Sequence, residues 1–143
     1  MPGAEANVHI LLVEDDTIDV MALKRALQQR KLTNPLTVAR DGVEALEILR
    51  GGPDRPPLPK PYMILLDLSL PRMNGIEFLE TLRADPALQD AIVFMLTTSR
   101  ADEDRSAAYR LNVAGYMVKS DLTAGLLRVV TMLESYWRVV EFP

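Results

Sequence analysis

Apolar residues in this chain follow two patterns, short uninterrupted runs and longer stretches in which they recur every three or four positions. The long runs are Val8 to Val13, Tyr62 to Leu66 and Ala91 to Leu96, with shorter ones at Leu36 to Arg40 and Gly115 to Lys119. Runs of this length between turn residues predict strands buried on both faces, as inside a parallel sheet.

The intervening stretches predict helices. From Ile18 to Lys31 the apolar set is Ile18, Met21, Ala22, Leu23, Ala26 and Leu27, with Lys24, Arg25, Gln28 and Arg30 toward water. Asp16 or Thr17 can cap this helix and Asn34-Pro35 ends it. Asp41-Gly42 opens a second helix with Val43, Leu46 and Leu49 inward, stopped by Gly51-Gly52. A third runs from about Asn74 to Ala84 on Ile76, Leu79 and Leu82, and Asp85-Pro86 punctuates it. Asp102 to Asn112 is short and polar, with acidic residues where the helix dipole favours them, and Leu122 to about Val140 is the last helix.

Strand and helix thus alternate five times, which predicts one parallel sheet covered by helices on both faces with right-handed crossovers. Gly51 to Pro61 holds five prolines in eleven residues, a stiff surface connection. No repeat or interior linker divides the 143 residues, which read as a single domain with a flexible N-terminus over 1–7 and a short C-terminal extension over 138–143.

Composition removes several functions. Apolar residues at 48% and charged residues at 25% are ordinary for a packed domain. A net charge of -4 gives no basic footprint for nucleic acid. The absence of cysteine excludes disulfides, a thiolate nucleophile and a zinc-thiolate site. The apolar runs are too short to span a bilayer, and Met1 to Asn7 lacks the regions of a signal peptide, so a cytoplasmic location without membrane association is expected.

A parallel sheet gathers its strands' carboxyl ends on one edge, where open α/β folds place their chemistry. Here that edge would collect Glu14, Asp15, Asp67, Thr97 and Lys119. Three carboxylates held close together repel, and a hard divalent cation with oxygen ligands relieves them. Magnesium suits a shallow site of Glu14, Asp15 and Asp67 plus a backbone carbonyl, that of Ser69. With Lys119 and the Thr97 hydroxyl offering donors to phosphoryl oxygens, Asp67 becomes a candidate acceptor forming an acyl phosphate. No glycine-rich nucleotide loop is present, so the phosphoryl group must come from another molecule. The one histidine, His9, lies inside the first strand and reads as structural.

These residues resemble the receiver domain of two-component response regulators over nearly the whole chain. The matching pieces are Leu11-Leu12-Val13-Glu14-Asp15-Asp16, Ala39-Arg40-Asp41-Gly42 with Glu44-Ala45-Leu46, Asp67-Leu68-Ser69-Leu70-Pro71 with Gly75, Thr97, and Gly115-Tyr116 with Lys119. The resemblance implies a flavodoxin-like, doubly wound α/β fold with five parallel strands in the order 2-1-3-4-5 and five helices. It implies that Asp67 accepts a phosphoryl group from a sensor histidine kinase, that Glu14 and Asp15 hold magnesium, that Thr97 and Lys119 bind the phosphoryl oxygens, and that Tyr116 changes its packing on phosphorylation. The family usually has proline after the lysine, whereas Ser120 follows Lys119 here. Lys119-Ser120, the proline-rich connection and the ending Glu134-Ser135-Tyr136-Trp137 look most like the single-domain regulators paired with bacterial and cyanobacterial phytochromes.

The last helix has one core-facing stripe, Leu126, Val129, Val130, Leu133, Tyr136 and Trp137. Leu122, Leu127, Met132, Val139, Val140 and Phe142 add more apolar surface than one stripe needs. A homodimer through the last two helices and last strand fits this surplus and the family. Without an output domain, the switched surface would itself be the output and would bind another protein; the chain would not be an enzyme beyond its own phosphorylation and slow dephosphorylation. Two alternatives stand beside this reading. A phosphohydrolase of the haloacid dehalogenase type wants a second aspartate two residues after the first, where this chain has Ser69. A pseudo-receiver would have lost the acidic pair, acceptor or lysine, and all are kept.

Overall fold

The computed structural model describes residues 8–119 and 126–143. The elements in chain order are β1 (His9–Val13), α1 (Thr17–Gln29), β2 (Leu36–Ala39), α2 (Gly42–Arg50), β3 (Tyr62–Leu66), α3 (Gly75–Ala84), β4 (Ile92–Thr97), α4 (Asp102–Arg110), β5 (Gly115–Val118) and α5 (Leu127–Val139). The strands form one parallel sheet in the order β2-β1-β3-β4-β5, the doubly wound arrangement expected.

Side chains alternate across the sheet, and each face is buried under its own helices. Leu11, Val13, Ile64, Leu66, Val93 and Met95 pack with the inner faces of α2 and α3 and with Ala108 of α4. Ile10, Leu12, Met63, Leu65, Phe94 and Leu96 pack under α1 and α5, against Leu23, Leu27, Val130, Leu133 and Trp137. Full burial of each such side chain stabilises the fold by roughly 1.5–3 kcal/mol before chain entropy is counted. The continuously apolar central strands are the direct sequence expression of these two cores.

Two predicted α1 core residues are not in the core. Ile18 is 77% exposed and Met21 53% exposed, while the buried residues are Leu23, Ala26 and Leu27. At about 100° per residue, Met21 points about 160° and Ile18 about 140° away from Leu23, so they cannot share its face. The apolar surplus on α5 is also smaller than expected. Met132, Tyr136 and Phe142 pack against the core under α1 and α5, with Tyr136 edge-on to Phe94 at 5.0 Å and to Phe142 at 6.2 Å between ring centroids. Leu127 and Val139 are the exposed members. Leu122, the expected start of this helix, and Ser120 lie outside the described residues.

Local signals in the sequence account for the helix starts. Asp16 caps α1 by accepting from the Ile18 amide at 2.8 Å. Asp41 caps α2 through the Glu44 amide at 2.8 Å, and Asn74 with Glu77 forms a reciprocal capping box on α3. His9 Nε2 lies 2.7 Å from Thr37 Oγ1 across the β1–β2 pair, in keeping with a structural role.

Candidate phosphoryl-acceptor site

The sheet register brings the carboxylates together. Val13 pairs with Leu66 across β1 and β3, and the pairing continues one step further, the Asp67 amide donating to the Val13 carbonyl at 3.1 Å. Glu14 likewise donates its amide to the Ala39 carbonyl at 2.9 Å. Glu14 and Asp67 therefore leave adjacent strands at the same level. Carboxylate oxygens of Glu14, Asp15 and Asp67 lie within 4.8 Å of one another, Glu14 and Asp67 buried and Asp15 exposed.

Lys119, directly after β5, closes the cluster. Its Nζ donates to Glu14 Oε1 at 2.6 Å and to Asp19 Oδ2 at 2.7 Å, and stands 3.6 Å from Asp67 Oδ2. Burial pushes the Glu14 carboxyl up to about 7, and the Asp67 charge adds to this against the pull of the Lys119 hydrogen bond. Burial also disfavours the Lys119 ammonium, but hydrogen bonds to Asp19 and Glu14 and the charge of Asp67 prevail and hold it well above the usual lysine range. One ammonium thus faces buried carboxylates that outnumber it. Oxygen donors of this number, charge and proximity fit a hard divalent cation.

The loop after Asp67 is clamped from several directions. The Leu68 amide donates to Asp67 Oδ1 at 2.8 Å, fixing one carboxylate oxygen, and the Gly75 amide reaches the Leu68 carbonyl at 2.9 Å. A Cβ on residue 75 would lie 2.4 Å from the Asp67 carbonyl oxygen, so only glycine allows this approach. Arg72 grips Asp41 through two hydrogen bonds, at 2.8 and 3.1 Å, tying the loop to the start of α2. That partnership holds the Asp41 carboxyl below its usual range. Ser69 is exposed and borders an open groove with Asp15, Pro71 and Asp104.

Thr97 is the last residue of β4 and is fully buried. Its Oγ1 accepts a long 3.4 Å contact from the Ser99 amide. Ser99 then links outward: its hydroxyl donates to Asp104 of α4 at 2.6 Å, and its carbonyl accepts from the Tyr116 hydroxyl at 3.0 Å. The half-buried Tyr116 ring also faces the Arg105 guanidinium at 5.9 Å. The structure thus joins Glu14, Asp15, Asp67 and Lys119 in one contact set, with Thr97 and Tyr116 connected to each other through Ser99.

Three participants escaped the sequence reading. Asp19 lies one helical turn after Asp15, a spacing that could have signalled it, but an acidic residue in a first helical turn is ordinary. Arg72 and Asp104 act through partners distant in sequence or on a loop, and nothing local marks them.

Known proteins resemble this chain over most of its length. Residues 10–130 match the family model described as the response regulator receiver domain. The chain is 36% identical over 128 residues to the response regulator Rcp1 of Synechocystis sp., covering 90% of this chain and 87% of that one. The crystal structure of the phosphorylated cyanobacterial phytochrome response regulator RcpA is similar at a TM-score of 0.85 and 33% identity, over 96% of this chain and 99% of that one. The Mn(2+)-bound form of Rcp1 gives 0.82 and 35%, over 95% and 99%.

Proposed function

The chain belongs to the response regulator receiver family, and from that premise we propose that it is a single-domain response regulator that takes a phosphoryl group onto Asp67 from a sensor histidine kinase. The observation that carries this reading is the meeting of Glu14, Asp15, Asp67 and Lys119 at the ends of three strands. The Asp67 carboxylate attacks phosphorus, an O–P bond forms as the donor's N–P bond breaks, and the electron pair leaves on the imidazole nitrogen. Lys119 offers its ammonium to the transferring oxygens, and Thr97 offers its hydroxyl. Glu14, Asp15, Asp67 and the Ser69 carbonyl would hold magnesium, which when bound neutralises charge on the phosphoryl group.

Phosphorylation adds roughly two negative charges at the strand ends. Thr97 turning its hydroxyl toward them gives up the long contact from Ser99, whose carbonyl anchors Tyr116, so the acceptor is coupled to β5 and the start of α4. Moving such a switch from 1:99 to 99:1 takes about 5.5 kcal/mol of differential stabilisation, within reach of several charge-assisted hydrogen bonds. The switched surface acts by binding protein. The likeness to Rcp1 and RcpA supports a phytochrome as the kinase. Exposed Tyr109, Leu127 and Val139 support a homodimer through α4, β5 and α5. The net charge of -4 speaks against nucleic acid, and among the described residues no helix is long and apolar enough to cross a membrane. Membership of the receiver family supports a cytoplasmic location.

The test is intact-protein mass spectrometry after incubation with a small-molecule phosphodonor, with and without magnesium, on wild type and Asp67→Asn. A single magnesium-dependent phosphoryl adduct confined to the wild type is expected. A folded protein that takes up no phosphoryl group under any condition would mark a pseudo-receiver instead.

A further inference from the structure

We propose that Asp19 is a positioning residue that receives the Lys119 ammonium when a divalent cation enters the carboxylate cluster, and so sets how tightly the cluster binds that cation. This rests on the metal role proposed above for Glu14, Asp15 and Asp67.

The geometry of the cluster holds a conflict. Lys119 Nζ is 2.6 Å from Glu14 Oε1, one of the three carboxylates whose oxygens converge within 4.8 Å. Magnesium binds oxygen at about 2.0–2.1 Å, so a cation on Glu14 would sit a few ångströms from the ammonium, where two like charges repel. The lysine must then release Glu14. Its other two carboxylate neighbours differ. Asp67 belongs to the same converging set, whereas Asp19 stands outside it and already accepts from Nζ at 2.7 Å.

Two features make Asp19 a workable receiver. It lies in the first turn of α1, a turn fixed by the Asp16 cap, so its carboxylate projects from a rigid element. The lysine also borders a cavity of about 180 Å³ with an apolar floor of Leu12, Leu23, Leu96 and Leu126, which gives the flexible stem room to shift without repacking the core. With Asp19 neutralised, every charged partner left to Lys119 in this cluster would be a candidate ligand, and the cation would have to displace the lysine from its own site.

The experiment is a calorimetric titration of magnesium, at fixed ionic strength and pH 8, into wild type, Asp19→Asn, Lys119→Met and the double variant. We expect Asp19→Asn to weaken binding by about tenfold in the wild-type background and by less than about threefold in the Lys119→Met background, because the competing ammonium is then absent. Equal losses in both backgrounds would show that Asp19 only contributes charge, and an unchanged affinity in the single variant would show no role; either overturns the proposal. A wild type that binds no magnesium would instead remove the metal assignment itself, and this inference with it. A crystal structure of the magnesium-loaded wild type gives a check free of variants: Lys119 Nζ should remain within hydrogen-bond distance of Asp19 and leave Glu14. A lysine still on Glu14, or turned to solvent, overturns the proposal.

Discussion

Replacing Lys119 by methionine removes the one ammonium that, among the described residues, touches the carboxylate cluster, while keeping most of the side-chain volume. In wild type it serves Glu14 at 2.6 Å, Asp19 at 2.7 Å and Asp67 at 3.6 Å, with only 14% of its side chain exposed. Removing one partner of a buried ion pair costs about 3–5 kcal/mol, because the remaining charge is left uncompensated. Asp19 is 36% exposed and recovers part of its solvation, which favours the lower end, about 3 kcal/mol at pH 8 without metal.

The pH dependence carries a definite sign. The native Glu14 carboxyl is raised to about 7 from 4.5, so the folded state binds the proton more readily than the unfolded state. Its favourable contribution is full below about pH 4.5 and is lost as pH rises toward 7. Without Lys119 the proton is held more tightly still. Protonated Glu14 relieves the repulsion, so the cost of the substitution shrinks to about 1 kcal/mol near pH 5. Urea unfolding of both proteins, in chelator and in saturating magnesium, measures this. Magnesium at a hundredfold over Kd adds about 2.7 kcal/mol to any protein that binds it only when folded, so both proteins gain and the deficit at pH 8 narrows only as far as the variant binds the cation more tightly, by about 1.4 kcal/mol per tenfold in Kd. A variant as stable as wild type at pH 8 in chelator, or a cost that grows toward low pH, would show that Lys119 does not neutralise this cluster.

Other substitutions test other links. Gly75→Ala forces a Cβ against the Asp67 carbonyl and the Leu68 backbone and should destabilise by about 3 kcal/mol, with phosphoryl uptake falling as Asp67 is displaced; thermal unfolding and intact-mass kinetics measure the two effects. Asp41 is held below its usual carboxylate range, so its stabilising contribution is full above about pH 4 and is lost as pH falls through its depressed native value. Asp41→Asn should therefore flatten the stability profile below about pH 4, at a cost near 1 kcal/mol at pH 7, because Arg72 is largely exposed. In the proposed homodimer, Val139→Asp should shift the concentration-dependent distribution toward monomer in sedimentation, while an unchanged distribution would count against an interface at Val139.

The sequence was most legible where burial is complete. β1, β3 and β4 are apolar on both faces, so their runs stand out, and the carboxylates follow at the strand ends. Helix starts near Asp16, Asp41 and Asn74 were legible because capping is local chemistry. Helix α1 was less legible: it carries apolar residues on two sides, and the sequence does not show which side the sheet covers, that of Leu23, Ala26 and Leu27 rather than that of Ile18 and Met21. The surplus on α5 was misjudged for the opposite reason, since Phe142 returns from beyond the helix to cover Tyr136. The role of Asp19 was hidden because its partner is 100 residues away, and its proximity arises from how α1 and β5 sit on the sheet.

Asp67 is the residue proposed to carry the phosphoryl group. An acyl phosphate is reduced by borohydride to an alcohol, while a free carboxylate is not. Treating the phosphorylated protein with borohydride and sequencing its peptides by mass spectrometry should find homoserine at position 67 alone, dependent on both phosphodonor and magnesium. Homoserine at Asp15 or Asp19 in its place, the longer alcohol 2-amino-5-hydroxypentanoic acid at Glu14, or an adduct that resists borohydride and maps to a hydroxyl side chain, would place the acceptor elsewhere.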